Sequence, residues 1–196
     1  MTFEQKTRKI TERSIENGAL FYLQRFATSA ANLRRVLMRK VRRSAHAHGA
    51  DGDDPLIADG AAIVERVIGR FIEAGLLDDR TYAEGRAASL HRRGMSARRI
   101  RQQLQQKGVG AEAAEHALAA LAAETAGGPA ALDLAAAVNL ARRRRLGPFR
   151  APSDRPRLRE KDLAALARAG FGYPLAVLVI DAAGPNALAD LAKEIP

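Results

Sequence analysis

Residues 76–108 read LLDDRTYAEGRAASLHRRGMSARRIRQQLQQKG, and the spacing of their apolar positions decides the fold. Tyr82, Ala83, Ala87 and Leu90 recur at helical intervals, as one buried side of a helix requires. Asp78 stands where a short carboxylate accepts the free N–H groups of an opening turn. Gly94 follows, where glycine enters the left-handed closing conformation with least strain. Ser96 caps a second helix that buries Ile100 and Leu104, and Gly108 closes it. Arg92, Arg93, Arg98, Arg99, Arg101 and Lys107 crowd the turn and the exposed side of that second helix. The unit therefore has one side for packing and a cationic side for a partner.

The unit has a relative upstream. Sliding the chain until Ser96 falls on Ser29 also brings Ile100 onto Leu33, Leu104 onto Leu37 and Lys107 onto Lys40. A weaker relative lies downstream, where Leu104 maps to Leu166, Gly108 to Gly170, Val109 to Phe171 and Leu118 to Ile180. Self-similarity at this period predicts a tandem helical array. The third unit lacks an evident serine cap.

Outward from this stretch, the reading is helical throughout. Residues 1–16 read as a polar, basic arm that is expected to be flexible, with a helical extension of the first module as the lesser alternative. Ala19, Leu20, Leu23 and Phe26 then share a helical stripe, as do Leu33, Val36, Leu37 and Val41 after Ser29. Glycine, aspartate and proline make a loop near residues 45–55. Its His46 and His48 could bind a metal with Asp51 or Asp53, but a solvated loop is the simpler reading. Asp59 is placed as the cap of a core helix carrying Ile63, Val64, Val67, Ile68, Phe71 and Ile72. After Gly108, Ala113, Ala117, Leu118 and Leu121 face inward. ETAGGP at 124–129 marks a boundary, because glycine and proline do not continue a helix. Leu132, Leu134, Ala135, Val138 and Ala141 open the next helix, FRAPSDRPR is read as a loop, and Leu163, Leu166 and Ala167 resume a helix to Gly170. Leu175, Val177, Leu178 and Ile180 form a last apolar helix. The expected divisions are a first repeat at 17–75, a second at 76–125, a third at 126–183 and a tail at 184–196.

Composition narrows the function. The apolar fraction of 47% argues against general disorder, yet aromatics are only 5%, so cores are thin and suited to small bundles. No apolar run approaches the ~20 residues that span a bilayer, and the N-terminus lacks the apolar core of a secretory signal. Absence of cysteine removes thiol catalysis and cysteine-ligated zinc. A cytoplasmic protein with no membrane partner is expected.

The net charge of +10 favours a polyanion or an acidic protein surface as partner. Charge alternates in blocks: residues 1–48, 80–107 and 140–168 are basic, and 49–79, 108–139 and 169–196 are acidic. Stacked modules would line up the basic parts as a stripe, which fits an extended polyanion and predicts steep salt dependence. Aromatics for base stacking are scarce there, so base-specific recognition is not expected, and DNA as a partner, single- or double-stranded, would be bound independently of sequence. The candidate binding residues are Arg34, Arg35, Arg39 and Lys40, then Arg92, Arg93, Arg98, Arg99 and Lys107, then Arg142, Arg143, Arg144 and Arg145. Each would act by charge pairing with phosphate or with acidic side chains.

Four segments together resemble the RecX regulatory proteins, modulators of the RecA recombinase. They are LFYLQRFATSAANLRRVLMRK (20–40), FIEAGLLDDRTYA (71–83), RRGMSARRIRQQLQQKGV (92–109) and, more weakly, ALARAGFGYPLAVLVI (165–180). The resemblance implies an all-α fold of tandem three-helix repeats in an elongated, curved array. It implies binding to the RecA filament on DNA, with effects on filament growth, ATP turnover and strand exchange, and hence on recombination, DNA repair and the SOS response. It brings no catalytic residues and no cofactor. Asp78 and Asp79 match the family's paired aspartates, read as capping and packing groups. The loop at 45–54 looks like an insertion, and Val41 stands where the second module has Gly108.

No catalytic constellation competes with this. No phosphate loop or dinucleotide glycine pattern is present, and His46, His48, His91 and His116 have no paired nucleophile. The expectation is a non-catalytic regulator, monomeric when free. The alternatives are a free-standing helical DNA-binding protein and a scaffold for an acidic protein. Repetition of the basic helix along the chain argues against one recognition helix in one groove.

Overall fold

The computed structural model describes residues 10–50 and 54–194. In order they form α1 (Glu12–Leu23), α2 (Ala30–His46), α3 (Pro55–Glu73), α4 (Asp79–Arg92), α5 (Ala97–Gln106), α6 (Ala111–Ala123), α7 (Gly128–Arg144), α8 (Arg155–Arg168), α9 (Tyr173–Ile180) and α10 (Pro185–Glu194). Among the described residues there is no strand, and the chain is all-α. Two compact units emerge. One holds the residues up to Tyr82 together with Lys107–Val109, and the other holds Ala83–Gln106 with Gly110 onward.

The first unit is a bundle of α1, α2 and α3. Its core is Ile15 and Ala19 of α1, Leu33, Leu37 and Val41 of α2, and Val64, Val67, Ile68 and Phe71 of α3, closed by Leu77. The N-terminus of α2 is buried, so its free N–H groups need partners inside the protein. Ser29, fully buried, accepts from the Asn32 N–H at 3.2 Å. Its hydroxyl also donates to the Lys107 carbonyl at 2.5 Å. The Ala30 N–H donates to Asp79 Oδ1 at 2.7 Å. Gly108, at φ +79, lies so close that an added Cβ would stand 2.4 Å from the Ala31 Cβ.

The second unit repeats this arrangement at the start of α5. Ser96 is fully buried and accepts from the Arg99 N–H at 3.2 Å. The Ser96 N–H donates to the Ala169 carbonyl at 3.2 Å, and the Ala97 N–H donates to Asp133 Oδ1 at 2.8 Å. Gly170 takes the place of Gly108, and a Cβ there would stand 2.4 Å from the Ser96 hydroxyl oxygen. The larger core of this unit joins α7, α8, α9 and α10 through Leu140, Leu166, Phe171, Val179, Ile180 and Leu188, among others. α4 buries Ala83, Ala87 and Leu90. It also buries His91, whose Nε2 donates to the Leu132 carbonyl at 2.9 Å.

Several elements differ from the sequence reading. Residues 1–9 of the expected arm lie outside the described residues, and α1 begins at Glu12, with Ile15 in the core. That register leaves Leu20 and Phe26 exposed. The cap of α3 is Asp54, which accepts from the Leu56 N–H at 2.8 Å; Asp59 sits inside the helix. Ile72 is exposed. FRAPSDRPR contains two short 3-10 turns and the start of α8. α8 buries Asp162 and Ala165 and leaves Ala167 exposed. The tail from 184 forms α10, whose Leu188 is buried.

A paired substitution separates backbone strain from contact. Gly75 has φ +68 with nothing within 4 Å of an added Cβ, so Gly75→Ala should cost about 1 kcal/mol from left-handed strain alone. Gly108→Ala adds overpacking against Ala31 and should cost roughly 2–4 kcal/mol. Thermal unfolding followed by far-UV circular dichroism checks the order; equal losses would show that the contact carries nothing.

Candidate nucleic-acid interface

The cationic residues divide by what they touch. Arg34 is held by Glu65, with Nε to Oε1 at 2.5 Å and Nη2 to Oε2 at 2.7 Å. This pair holds the Glu65 carboxyl below the usual carboxylate range. Arg101 makes the equivalent fork on Glu115, with Nη2 to Oε2 at 2.9 Å, and lowers that carboxyl likewise. Both pairs are about half exposed, so each contributes at most about 1 kcal/mol. They do, however, occupy two of the cations. Lys40 donates through Nζ to the Ser14 carbonyl of α1. Within the first candidate set, Arg34 and Lys40 thus have partners in their own bundle. Arg35 and Arg39 are exposed on α2 as well.

The second unit gathers the rest of the candidates except Lys107. Gly94, just after α4, abuts α7: an added Cβ would stand 2.5 Å from Leu140 Cβ and 2.8 Å from its Cα. That approach sets Arg92 and Arg93, exposed at the end of α4, beside the last turns of α7. There Arg142, Arg143, Arg144 and Arg145 are all exposed. Cations suit a helix C-terminus because they face the negative end of its dipole. Arg145 adopts φ +53, the left-handed closing conformation that glycine usually fills. The Arg142 guanidinium lies 5.8 Å from the Phe149 ring centre, close enough for cation–π attraction.

A second group lies on α5 and the end of α8. Arg98, Arg99, Arg101, Gln102, Gln105 and Arg168 line one cleft of about 360 Å³. Arg98 and Arg168 are exposed, and Arg99 Nη1 donates to Gln102 Oε1 at 2.5 Å. The sequence reading missed Arg168, because its distance along the chain hides its proximity to α5. Lys107 belongs to the first unit, where its carbonyl accepts from Ser29.

The other candidates are less engaged with charge. A ring nitrogen of His48 lies 2.7 Å from the Ser44 carbonyl, and Asp51 and Asp53 lie outside the described residues. Among the described residues no group of three metal-ligating side chains converges. No helix among them is long and apolar enough to cross a membrane.

Residues 78–118, which contain α4, α5 and most of α6, match the family described as RecX, second three-helix domain. A Myxococcus xanthus protein named Regulatory protein RecX is 41% identical over 178 residues, 90% of this chain and 89% of the relative. The chain belongs to the RecX family of regulatory proteins. A second Regulatory protein RecX, from Agrobacterium fabrum, is 34% identical over 84% of this chain and 80% of its own length. No solved structure matches the chain. The matched RecX domain includes Arg92, Arg93, Arg98, Arg99 and Lys107, and the wider similarity to the relatives spans most of the chain.

Behind the arginine end of α7, Asp162 fixes the turn. It is 1% exposed, and its Oδ2 accepts from the Gly147 N–H at 2.8 Å and from Arg150 Nε at 2.7 Å. Burial opposes its charge, but the Arg150 guanidinium and the Gly147 N–H outweigh burial and hold the carboxyl below its ordinary 3.8. A group lowered on folding stabilises the native state above its unfolded value, and that contribution is lost as pH falls through the folded value. Asp162→Asn strands Arg150 and should destabilise the protein by about 3 kcal/mol at neutral pH. The gap between wild type and variant should narrow as pH drops below 3.8. Urea titrations at several pH values check both, and a gap that is constant with pH would remove Asp162 from this role.

Proposed function

We propose that this chain is a non-catalytic regulator that binds the RecA–DNA filament and modulates its growth, ATP turnover and strand exchange. It would act in the cytoplasm, in recombination, DNA repair and the SOS response. Family membership supports a regulatory protein. The observation that carries the reading further is the paired arginine ends of α4 and α7. Arg92, Arg93, Arg142, Arg143, Arg144 and Arg145 are all exposed, and structural ion pairs like those of Arg34 and Arg101 do not explain them. The concentration of cations exceeds what two helix dipoles require and suits a polyanionic partner. In this reading three helical repeats, at 17–75, 76–125 and 126–183, carry the cations, and the chain acts as a monomer. Arg35, Arg39, Arg98, Arg99 and Lys107 extend the surface.

The alternative is a free-standing helical DNA-binding protein acting through phosphate contacts. Titrating the chain into RecA at fixed salt, with DNA-dependent ATP hydrolysis as the readout, separates the two. A change in rate well below the concentration that shifts bare DNA in a gel is expected. Unchanged hydrolysis beside tight, salt-sensitive DNA binding would favour the alternative. Reversing Arg92, Arg93, Arg142 and Arg143 to glutamate should weaken the effect on hydrolysis at least roughly tenfold in concentration, with helical circular dichroism intact. An unaltered titration would remove these four from the surface.

A further inference from the structure

The cleft between α5 and the end of α8 carries charge that the fold does not call for. Arg98 and Arg99 occupy the first turn of α5, and that turn contains no acidic residue. A helix N-terminus is the positive end of its dipole, so cations there are disfavoured and anions are favoured. Asp133 answers part of this by accepting the Ala97 N–H, and Glu115 is taken by Arg101. Arg98, Arg99 and Arg168 remain in excess around a cleft of about 360 Å³. That is within the roughly 300–1,000 Å³ of small-ligand sites.

The internal repeat separates scaffold from site. Ser29, Ala30 and Arg34 of α2 correspond to Ser96, Ala97 and Arg101 of α5. These three pairs perform the same contacts in both places. Arg98, Arg99, Gln102 and Gln105, by contrast, correspond to Ala31, Asn32, Arg35 and Met38. Capping and packing α2 therefore needs no cation at the positions of Arg98 and Arg99. Their presence on α5 is independent of the joint they sit beside.

We infer that this cleft is a nucleic-acid phosphate site, in which Arg98, Arg99 and Arg168 seat a backbone phosphate and Gln102 and Gln105 add neutral donors. The inference rests on the reading that the chain works on a DNA-bound filament, and it assigns one phosphate contact of that surface to this cleft. Guanidinium forks match phosphate oxygens in pairs. Gln102 accepts from Arg99 through its amide oxygen, which leaves its NH2 to donate. No large apolar side chain lines the cleft. Protein partners are usually anchored by a buried aromatic or aliphatic group, whereas a sugar–phosphate backbone needs none. The lack of an aromatic also means that bases are not stacked, so binding is independent of sequence.

The test is fluorescence anisotropy of a labelled single-stranded oligonucleotide with the full chain over a sodium chloride series. Wild type, Arg98→Ala/Arg168→Ala and Arg98→Lys/Arg168→Lys are compared, with circular dichroism as a check on folding. The alanine pair is expected to weaken binding roughly tenfold or more at low salt. The slope of log affinity against log salt should fall by about 1–2, the counterions of one or two phosphates. The lysine pair should keep most of the slope. Affinity and slope equal to wild type in the alanine pair would overturn the phosphate site. Unchanged DNA binding with a weakened effect on RecA ATP hydrolysis would overturn it in favour of an acidic protein segment. Wild type that fails to bind DNA would also overturn it. The hydrolysis assay on the same samples then shows separately whether the regulator reading stands.

Discussion

A helix that begins inside a protein leaves donors that water cannot reach, and this architecture is organised around two such helices, α2 and α5. Each first turn has a serine of its own and a carboxylate borrowed from a later helix or its approach, Asp79 for Ala30 and Asp133 for Ala97. Each is also met by a carbonyl just ahead of a glycine, Lys107 before Gly108 and Ala169 before Gly170. An unmet buried N–H costs about 1–3 kcal/mol, comparable to losing a core methyl cluster. The cap therefore fixes which later segments lie against each helix. The paired aspartates divide this work. Asp78 serves the start of α4, through the Thr81 hydroxyl and the N–H groups of Arg80 and Thr81, and Asp79 serves α2.

The same comparison sorts the arginines, which by composition alone look interchangeable. Arg34 and Arg101 recur at one repeat position and pair with Glu65 and Glu115. Arg150 is bound to Asp162, and Arg159 to Asp181. These guanidiniums tie helices together. The exposed ends of α4 and α7 and the cleft beside α5 hold arginines of the other kind, as does the exposed side of α2. A basic protein of this kind has fewer available cations than its 32 lysines and arginines suggest, because several are held in pairs with its own carboxylates.

How far the fold could be read from the residues depended on how local each contact is. Ser29 and Ser96 cap donors three residues away, and the glycines end helices they directly follow, so both were legible. Asp79 and Asp133 reach donors 49 and 36 residues away; Asp79 reads as a capping group, but which helix each carboxylate caps is not legible from local spacing. Asp59 stands next to the strong apolar stripe, but the cap is Asp54. The signal that favoured Asp54 was Pro55, which suits the first helical position. In α1 the large Leu20 and Phe26 drew the reading, while the buried residue was Ile15 in a polar stretch. Asp162 was invisible as a core residue because a carboxylate enters a core only with partners, and Arg150 and Gly147 are identified only once the turn is folded. Arg168 was missed at the site for the same reason.

Because the groups that complete the first turn of α2 come later in the chain, synthesis order matters. A nascent chain that has released α1, α2 and α3 has its apolar bundle in hand but not the carboxylate of Asp79, nor the carbonyl of Lys107 that receives Ser29. Domains generally fold from the N-terminus as they emerge. Here the leading bundle is finished only when residue 107 leaves the ribosome, and the start of α5 waits in turn for residue 169. Each segment is thus locked by the one translated after it, and a prematurely terminated product would carry an open, water-seeking helix end at its last incomplete joint.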